Sequence, residues 1–376
     1  MIAARLRHLA LHLTALALMA LWLLPVAGLV TTSLRSADQA AASGWWRAFD
    51  VQQVHLPAQR LRGASVLRDG WHGTEGVLFD DATARAQVLR WGTSSRAPQA
   101  YPPGATVALE GGARLQVRAD GGWRLSAPAP LTGPEPRVFV TATLPPAFTL
   151  QNLRQVVFQP LAGPGLGRAL ANTALVAIPA TVIPLTLATL AAYALVFMAV
   201  PGRAVIGAAV AGLMAVPLQV ALVPLLQLHN QLGIGKGLVG VWLAHTGFGL
   251  PLAILVLRSA MARLPSEVID AARLDGARDW QILTRIVLPM VFPTLAGLAA
   301  LQFLWTWNDV LVALVFLGSG PDQQVMTATL LNRMGTHGGQ WPLLAAAAVV
   351  SMVVPLAVFA GLQRYLTRGL AAGVLN

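Results

Sequence analysis

The chain has 376 residues, of which 56% are hydrophobic and only 11% are charged. Soluble domains carry about 25% charged residues, so this composition excludes an ordinary soluble protein and indicates an integral membrane protein. The net charge of +11 does not indicate nucleic-acid binding, because the cations are not clustered in a patch with aromatic residues. The sequence contains no cysteine, which excludes a disulfide framework and a thiolate metal site.

The first predicted element is a membrane-spanning helix over residues 8–34. This stretch has no charged residue, and a span needs about 20 apolar residues. The Ala-Ala-Ala at 40–42 resembles a cleavage site, so a cleaved signal peptide is the alternative. The apolar run is too long for an ordinary signal peptide, which favours a retained anchor. His8 and His12 lie one helical turn apart and could bind a metal, but a helix face near the membrane surface is the simpler interpretation.

Residues 36–147 differ in composition, because charged residues return and Pro and Gly become frequent. Short stretches of alternating polarity predict β-strands over residues 76–79, 86–91, 106–109, 114–118, 123–125 and 137–140. Gly-Gly pairs at 111–112 and 121–122 separate three of them, as hairpin turns would. We expect a small antiparallel β domain within residues 50–143. It is either a docking or gating element or an insertion that packs on the membrane subunits.

Five further spans are predicted, which makes the fold class an all-α polytopic membrane protein with six transmembrane helices and a β-rich insertion. Residues 148–158 are expected to form a short amphipathic segment at the membrane edge. The predicted spans cover residues 169–202, 204–235, 237–257, 290–314 and 341–363, within a transmembrane domain of residues 168–364. Pro179 and Pro184 lie inside the first of these spans and predict a kinked or tilted helix.

An even number of spans places both chain termini on the same side of the membrane. That side also carries the turn at Arg203 and the charged loop of residues 258–289, and it is richer in arginine than the opposite short loops. The positive-inside rule therefore predicts cytoplasmic termini and a cytoplasmic loop. The β domain is then expected on the outer side, in the periplasm or its equivalent.

Residues 264–293, LPSEVIDAARLDGARDWQILTRIVLPMVFP, form a charged segment between two apolar runs and predict two short helices in water. Pro265 is expected to begin the first helix, and Glu267 suits its first turn because an acid there meets the positive end of the helix dipole. Gly276 should end this helix, since glycine accepts the left-handed conformation. One face of the helix carries apolar side chains that would let another surface approach closely, namely Val268, Ala271 and Ala272.

The second helix of this segment is expected to begin with Asp279 as its cap. Trp280, Leu283 and Val287 form an apolar stripe along it. Pro289 is expected to turn the chain into the next span. An ordinary solvated loop with two short helices would also fit this pattern.

The same segment resembles the EAA loop of the inner-membrane subunits of ABC importers. The matching positions are Asp270-Ala271-Ala272 at the triplet, Gly276, and Ile286, Leu288 and Pro289 at the end. Asp270 replaces the usual Glu and keeps the charge on a shorter side chain, so a bond to a partner could shift or weaken. The resemblance implies the type I ABC importer permease fold, whose first short loop helix docks on an ATP-hydrolysing subunit. The residues implied for this coupling are Glu267, Asp270, Ala271, Ala272, Gly276, Ile286, Leu288 and Pro289.

The resemblance covers residues 10–35 and about 148–376, with residues 301–317 and 341–374 similar to carbohydrate importer permeases. The best-fitting group is the shorter membrane subunit of the maltose-type importer. Its alpha-glucoside branch carries an insertion after the first span. The resemblance therefore implies a subunit that forms half of the translocation pathway, with an oligosaccharide such as an alpha-glucoside as substrate.

The resemblance also implies the partners and the location of the chain. The expected partners are a second homologous permease subunit, a dimer of ATP-binding subunits, a periplasmic or lipid-anchored sugar-binding protein and membrane lipid, without nucleic acid. The chain would be a multi-pass protein of the bacterial inner membrane. No phosphate-binding GxxxxGK[ST] motif occurs in the sequence. ATP and magnesium are therefore expected on the separate ATPase, with no cofactor and no catalysis on this chain.

Trp307, Asn308 and Asp309 are candidates for the transport path, because they lie near the outer end of the predicted span 290–314. An ionisable group at such a depth is a functional candidate. The tryptophans there could stack on sugar rings or serve as interfacial aromatics, and the structural interpretation is favoured.

The main alternative function is an ion-coupled secondary transporter, which would need paired charges in several spans, whereas most of these spans have none. A membrane enzyme lacks support, since HExxH and GxSxG motifs are absent. A membrane-anchored receptor would not need six spans.

Overall fold

The structure, a computed structural model, describes residues 2–61, 64–68, 71–79, 86–128, 136–158, 166–318, 320, 323–336 and 340–374. The chain divides into two compact units, one of residues 1–152 with 339–346 and one of residues 153–338 with 347–376. Within the described residues, five helices are long and apolar enough to cross a membrane, or six if one bent pair forms a single span. The prediction of a helical membrane protein with a β-rich insertion is therefore confirmed.

The first unit begins with α1 (Ile2–Ser33), a single long helix whose leucines are exposed around its surface. A short helix α2 (Ala37–Ala42) and a 3₁₀ turn (Trp45–Arg47) follow it and lead into the insertion. The hydroxyl of Ser36 caps α2 by accepting a hydrogen bond from the backbone N–H of Gln39.

The insertion consists of two antiparallel sheets that share one hydrophobic core. Its strands are β1 (Gln52–Arg60), β2 (Ala64–Arg68), β3 (Trp71–Val77), β4 (Gln87–Gly92), β5 (Thr106–Ala108), β6 (Arg114–Val117), β7 (Gly122–Ala127) and β8 (Arg137–Leu144). The strand orders are β1-β8-β4 and β2-β3-β7-β6-β5. Trp91 and Val138 from the first sheet and Leu115 and Val117 from the second are fully buried in this core.

The predicted hairpin turns of the insertion lie where they were expected. The Gly-Gly pair at 111–112 lies between β5 and β6, and Gly121 directly precedes β7, all with positive φ angles. Strands β1 and β2 were not predicted, and the predicted strand 76–79 covers only the end of β3. Pro57 lies inside β1 and argues against a central strand, but β1 is an edge strand with an irregular register beside this proline.

The second unit is helical throughout most of its described length. After α3 (Gln151–Phe158), the helices are α4 (Leu166–Phe197), α5 (Arg203–Leu213), α6 (Leu218–Gln231), α7 (Leu238–Met261), α8 (Ser266–Leu274), α9 (Asp279–Ile282), α10 (Leu288–Asn308), α11 (Leu311–Phe316), α12 (Met326–Thr336) and α13 (Trp341–Val374). The first two residues of α3 and the first six of α13 belong to the first unit. Helices α4 and α7 pack closely together, and α10 packs against both. The cytoplasmic segment predicted from the charge pattern corresponds to α8 and α9.

The predicted span 204–235 is not one straight helix. It consists of α5 and α6, whose axes differ by 106°. Pro217 explains the break, because proline donates no backbone hydrogen bond and disfavours a helical conformation in the residue before it. Helix α5 therefore ends at Leu213, and α6 begins directly after the proline.

The predicted span 290–314 is also interrupted. Helix α10 ends at Asn308, and α11 begins at Leu311. Asp309 lies between them in an extended conformation, with φ of −76° and ψ of 133°. Its carboxylate accepts a hydrogen bond from the backbone N–H of Val312, so the aspartate caps the second helix instead of continuing the first.

Candidate functional site

Helix α8 carries apolar side chains toward two different surroundings. Ile269 is 2% exposed and lies in the core cluster formed with residues of α4, α7 and α10, and Ala272 packs against the same cluster. Leu274 is 89% exposed and Val268 is 41% exposed. The predicted common face is therefore divided: Ala272 packs inward, whereas Val268 and Ala271 are exposed.

A Schellman arrangement ends α8 at Gly276, as predicted. The N–H of Gly276 donates to the carbonyl of Arg273 and the N–H of Ala277 donates to the carbonyl of Ala272, each at 3.0 Å. Gly276 has a φ of 79°, a left-handed conformation that is unfavourable for residues with a Cβ atom. Pro265 precedes the helix as its N-cap residue and is not its first helical residue, which is a one-residue correction.

Arg273 joins α8 to its neighbours by polar contacts. Its guanidinium donates to the carbonyl of Phe197 at the end of α4, at 2.7 Å. It also lies 3.5 Å from the carboxylate of Asp279 and 3.9 Å from that of Asp270. The Tyr193 hydroxyl donates to the Asp279 carboxylate at 2.8 Å. The exposed ion pairs contribute at most about 1 kcal/mol each, so the network chiefly fixes the orientation of the helix.

Asp279 is the first residue of α9 and not its cap, which corrects the prediction. Arg278 occupies the cap position in an extended conformation, and the Gln281 side chain accepts a hydrogen bond from its N–H at 2.9 Å. The carboxylate of Asp279 therefore lies at the positive end of the helix dipole and remains available to Tyr193 and Arg273.

Pro289 does not turn the chain, contrary to the prediction. Helix α9, a π-helical turn over Leu283–Val287 and α10 form one apolar stretch over Asp279–Asn308. The N–H of Leu288 bonds to the carbonyl of Leu283, five residues earlier. In a regular helix the proline ring would contact the carbonyl four residues before it, and the wider turn relieves that contact.

A cavity of about 210 Å³ opens beside the π-helical turn. Its lining is mostly apolar and consists of Leu185, Thr186, Thr189, Leu190, Trp280, Leu283, Thr284, Leu288 and Leu295. Trp280 is 66% exposed at this cavity, whereas Leu283 and Val287 are buried. The predicted apolar stripe is therefore partly core and partly accessible surface.

Two of the transport-path candidates have different surroundings. Trp307 is 3% exposed, and its ring lies 5.3 Å from that of Phe303. Asn308 is exposed, and its side-chain amide donates to the carbonyl of Leu304 at 2.8 Å. Only the asparagine of this pair therefore presents a polar side chain to its surroundings.

Asp309 is half-buried and lies in a group of polar side chains at the break between α10 and α11. Its carboxylate is 2.9 Å from the N–H of Val312 and 3.8 Å from Nε2 of His245 on α7, and its carbonyl accepts from the Thr327 hydroxyl at 3.0 Å. These contacts connect three helices, which agrees with the structural interpretation favoured for this residue.

The residues assigned to coupling separate into two groups. Glu267, Asp270 and Ala271 are exposed on α8. Ile286 and Leu288 are half-buried in and after the π-helical turn, where the first packs on the core cluster and the second lines the cavity. The structure therefore brings the residues of α8 together on one exposed surface. The residues in and after the π-helical turn pack instead among the membrane helices.

Sequence reasoning missed Ile269, Arg273 and Tyr193. The spacing of Arg273 three residues after Asp270 on one helix is a local signal for an ion pair. Tyr193 gives no local signal, because its partner Asp279 lies 86 residues away in the sequence.

The helices and the polar loop between α7 and α10 together define a multi-pass membrane permease subunit. Residues 185–372 match the family described as binding-protein-dependent transport system inner membrane component, and the chain belongs to this family. It is 49% identical over 374 residues to the alpha-glucoside transport system permease protein AglG of Rhizobium meliloti (strain 1021), covering 97% of this chain and 96% of the relative. It is 48% identical over 209 residues to the osmoprotective compounds uptake permease protein GgtD of Synechocystis sp. (strain ATCC 27184 / PCC 6803 / Kazusa), covering 56% and 70%.

A solved structure supports the same fold. A chain from a bacterial ABC transporter involved in the import of the acidic polysaccharide alginate superposes with a TM-score of 0.50 at 23% identity, covering 59% of this chain and 81% of that chain. The protein is thus the inner-membrane permease subunit of a binding-protein-dependent ABC importer, as its sequence predicted. Subunits of this family are not catalytic and carry no cofactor, and they work in a complex with an ATPase and a binding protein.

Proposed function

We propose that this permease imports an oligosaccharide such as an alpha-glucoside and that α8 is the helix through which the ATPase drives transport. The substrate assignment rests on the relative AglG, whose name specifies alpha-glucoside transport. Its alignment covers 97% of the chain, so it includes the β insertion as well as the helices. The distinction among oligosaccharides belongs to the whole importer, including its binding protein.

The exposed surface of α8 has the composition of a docking site. Leu274 and Val268 are exposed apolar side chains on α8, beside the exposed carboxylates of the same helix. Such side chains typically form the centre of protein interfaces when a partner covers them. Ala271 is small and exposed beside them, so a partner surface can approach the helix backbone. Glu267 and Asp270 add carboxylates at its edge. The exposure of Leu274 is the observation that carries this proposal.

The same helix is built to transmit force. Burial of Ile269 contributes about 1.5–3 kcal/mol and fixes α8 to the core of the spanning helices. Arg273 adds polar contacts to the end of α4 and to α9. A displacement of α8 by an ATPase would therefore move α4 and α10 with it, and would not be absorbed by a flexible loop.

The complete assembly that we propose is the one that the family resemblance implies. A second homologous permease subunit completes the pathway, two ATP-binding subunits close on ATP, and a periplasmic or lipid-anchored binding protein delivers the sugar. Both termini and α8 lie in the cytoplasm, and the insertion of residues 36–147 lies outside. The transmembrane domain extends over residues 168–364 and contains the coupling loop 258–289.

The transport path involves a smaller set of residues than the sequence indicated. Asn308 has the exposed polar side chain among the three candidates, so it is the residue that we assign to solute contact. Trp307 and Asp309 support it from the core and from the break between α10 and α11. The half-buried Ile286 and Leu288 and the exposed Pro289, together with Ala272 and Gly276, act in coupling by holding the loop in place.

The experiment that tests this proposal is copurification of the tagged chain with its companions from native membranes, followed by identification of the companions by mass. Replacement Ala271→Trp adds a large side chain on the exposed side of α8. We expect it to lower recovery of the ATPase by about ten-fold, equivalent to about 1.4 kcal/mol of binding free energy. Uptake of alpha-glucosides should fall in parallel.

Two variants provide the controls. Ala271→Ser keeps a small side chain at the same position and should recover the ATPase normally. Ala262→Trp places the same bulk on an exposed alanine just beyond α7 and should also leave recovery unchanged. Normal ATPase recovery with Ala271→Trp would contradict docking at α8. Loss of recovery with both tryptophan variants would show a general disturbance of the loop and would also contradict it. Uptake of an unrelated solute class would overturn the substrate assignment alone.

A further inference from the structure

An aromatic surface lies at the end of α1, where the chain enters and leaves the strands of the insertion. We call it the aromatic ledge, and it consists of Trp45, Trp46, Phe49 and Phe148. Trp46 is 71% exposed, Phe49 is 77% exposed and Phe148 is 47% exposed. Ring contacts link its members in pairs, Trp45 with Trp46 at 6.1 Å and Phe49 with Phe148 at 5.3 Å between centroids. Exposed apolar patches of this kind mark surfaces that something else covers.

Trp45 attaches the ledge directly to α1. A Cβ atom added at Gly28 would lie 2.9 Å from Nε1 and 3.0 Å from Cε2 of the Trp45 indole. The glycine therefore leaves a notch on the helix that receives the tryptophan ring. Any larger residue at this position would displace the ring from the helix surface.

Arg35 fixes the ledge from the other side. Its buried guanidinium donates to the carbonyls of Gln39 at 2.5 Å, Ser43 at 2.9 Å and Gly44 at 3.2 Å, and to the Ser43 hydroxyl at 2.7 Å. All four acceptors are neutral oxygens. One arginine thus holds the turn that precedes Trp45 against the end of α1.

Phe148 is held at the same end of α1 by hydrogen bonds of its neighbours. The Thr149 N–H donates to the carbonyl of Leu34 at 2.7 Å. The Asn152 amide donates to the carbonyls of Ser33 at 2.9 Å and Arg35 at 2.8 Å. These hydrogen bonds therefore fix the position of the ledge at the end of α1.

The length of α1 indicates how deep in the membrane the aromatic ledge lies. The hydrocarbon core is about 30 Å thick and is crossed by about 20 helical residues. A crossing that begins just after His8 reaches its far boundary near Gly28. The ledge then lies at the boundary between lipid chains and headgroups, where tryptophan is enriched.

We propose that the aromatic ledge inserts into the headgroup region of the leaflet opposite the N-terminus and so sets the depth of α1 and the insertion. The ledge continues the apolar surface of α1, whose Leu21 and Trp22 are 61% and 80% exposed. This continuity favours lipid as the occupant. The proposal depends on the spanning helix alone and not on the substrate or on docking at α8.

The absence of cysteine allows single labels to be placed on this chain. A Trp46→Cys variant carries an environment-sensitive fluorophore, with labelling of this chain verified by mass, in the complete importer reconstituted in phosphatidylcholine and phosphatidylglycerol vesicles. Quenching is measured with lipids bearing a nitroxide near the headgroup or at the end of the acyl chain, and with aqueous iodide. Leu18→Cys, exposed in the middle of α1, is the deep control, and Arg96→Cys, exposed in a loop of the insertion, is the aqueous control.

We expect the headgroup nitroxide to quench the label at position 46 more strongly than the chain-end nitroxide, whereas position 18 should show the reverse order. Iodide quenching equal to that of the position 96 control would overturn the proposal, because the ledge would then lie in water. Protection from both nitroxides and from iodide would also overturn it, because a protein subunit would then cover the ledge. Phe49→Cys provides the same measurement if Trp46→Cys does not assemble, and it should show the same order as position 46.

Discussion

The loop of α8 and α9 and the β insertion both lie outside the spanning helices, yet they are stabilised in different ways. The insertion has its own core, in which Trp91, Leu115 and Val138 are completely buried. The loop has no such core. Its buried side chains, Ile269 of α8 and Ile282 of α9, lie in the cluster formed with residues of α4, α7 and α10.

This difference bears on what each region can do. A segment that completes the core of another element cannot move independently of it, so the loop is suited to transmit a displacement into the spans. A segment with its own core can be present or absent with little effect on the folding of the spans. Helix α8 thus belongs mechanically to the membrane helices, although its sequence is that of a solvated surface helix.

The largest expected effect on the loop comes from Ile269→Ala. It removes a side chain that is 2% exposed, and large-to-small changes in a core cost about 2–5 kcal/mol of unfolding free energy. The measurement is unfolding by dodecyl sulfate in mixed micelles, followed by circular dichroism. We also expect reduced ATPase recovery, because the helix loses its attachment to the spans.

Leu274→Ala is the matched comparison on the same helix. Leu274 is 89% exposed, so stability should change by no more than about 0.5 kcal/mol. ATPase recovery should nevertheless fall, since the exposed leucine is the proposed contact. Equal losses of stability in the two variants would show that α8 is not divided into an inner and an outer side.

The parts of this fold that were predictable from sequence are those with local causes. Gly276 ends α8 and the Gly-Gly pairs divide β5, β6 and β7 because a positive φ angle requires glycine or a similar residue nearby. Pro289 led to a wrong prediction, because the π-helical turn accommodates the proline within a continuous helix, and β1 was not predicted, although its edge position tolerates Pro57. Both outcomes depend on neighbouring backbone that a single residue does not reveal.

In the candidate site, too, only the features with local causes were predictable from the sequence. The triplet and glycine spacing identified α8, whereas the inward direction of Ala272 could be recognised only once α8 was packed on the spans. The contact of Tyr193 with Asp279 joins residues far apart in the chain, and no periodicity within either helix indicates it.

Gly276→Ala should have an intermediate effect and separates backbone strain from packing. No atom lies within 4 Å of a Cβ added at Gly276, so the cost arises from its φ of 79° alone and amounts to about 1–2 kcal/mol. Gly207→Ala is the control, since Gly207 lies inside α5 with equal space around it. The control should raise stability by up to about 1 kcal/mol, because alanine has the higher helix propensity. A change of the same sign in both variants would contradict the assigned strain.

The smallest expected effect on coupling follows removal of the insertion. Gln52 pairs with Leu144 across β1 and β8, so the two ends of the insertion lie side by side. Residues 53–143 can therefore be replaced by an Asn-Gly turn, which suits a tight connection between antiparallel strands. We expect ATPase recovery equal to that of the complete chain, because the described contacts that fix α8 lie within residues 185–298. Ala271→Trp in the same shortened chain should still lower ATPase recovery by about ten-fold. Loss of the ATPase on excision alone would show that the insertion, despite its separate core, is needed for the loop to adopt its docking conformation.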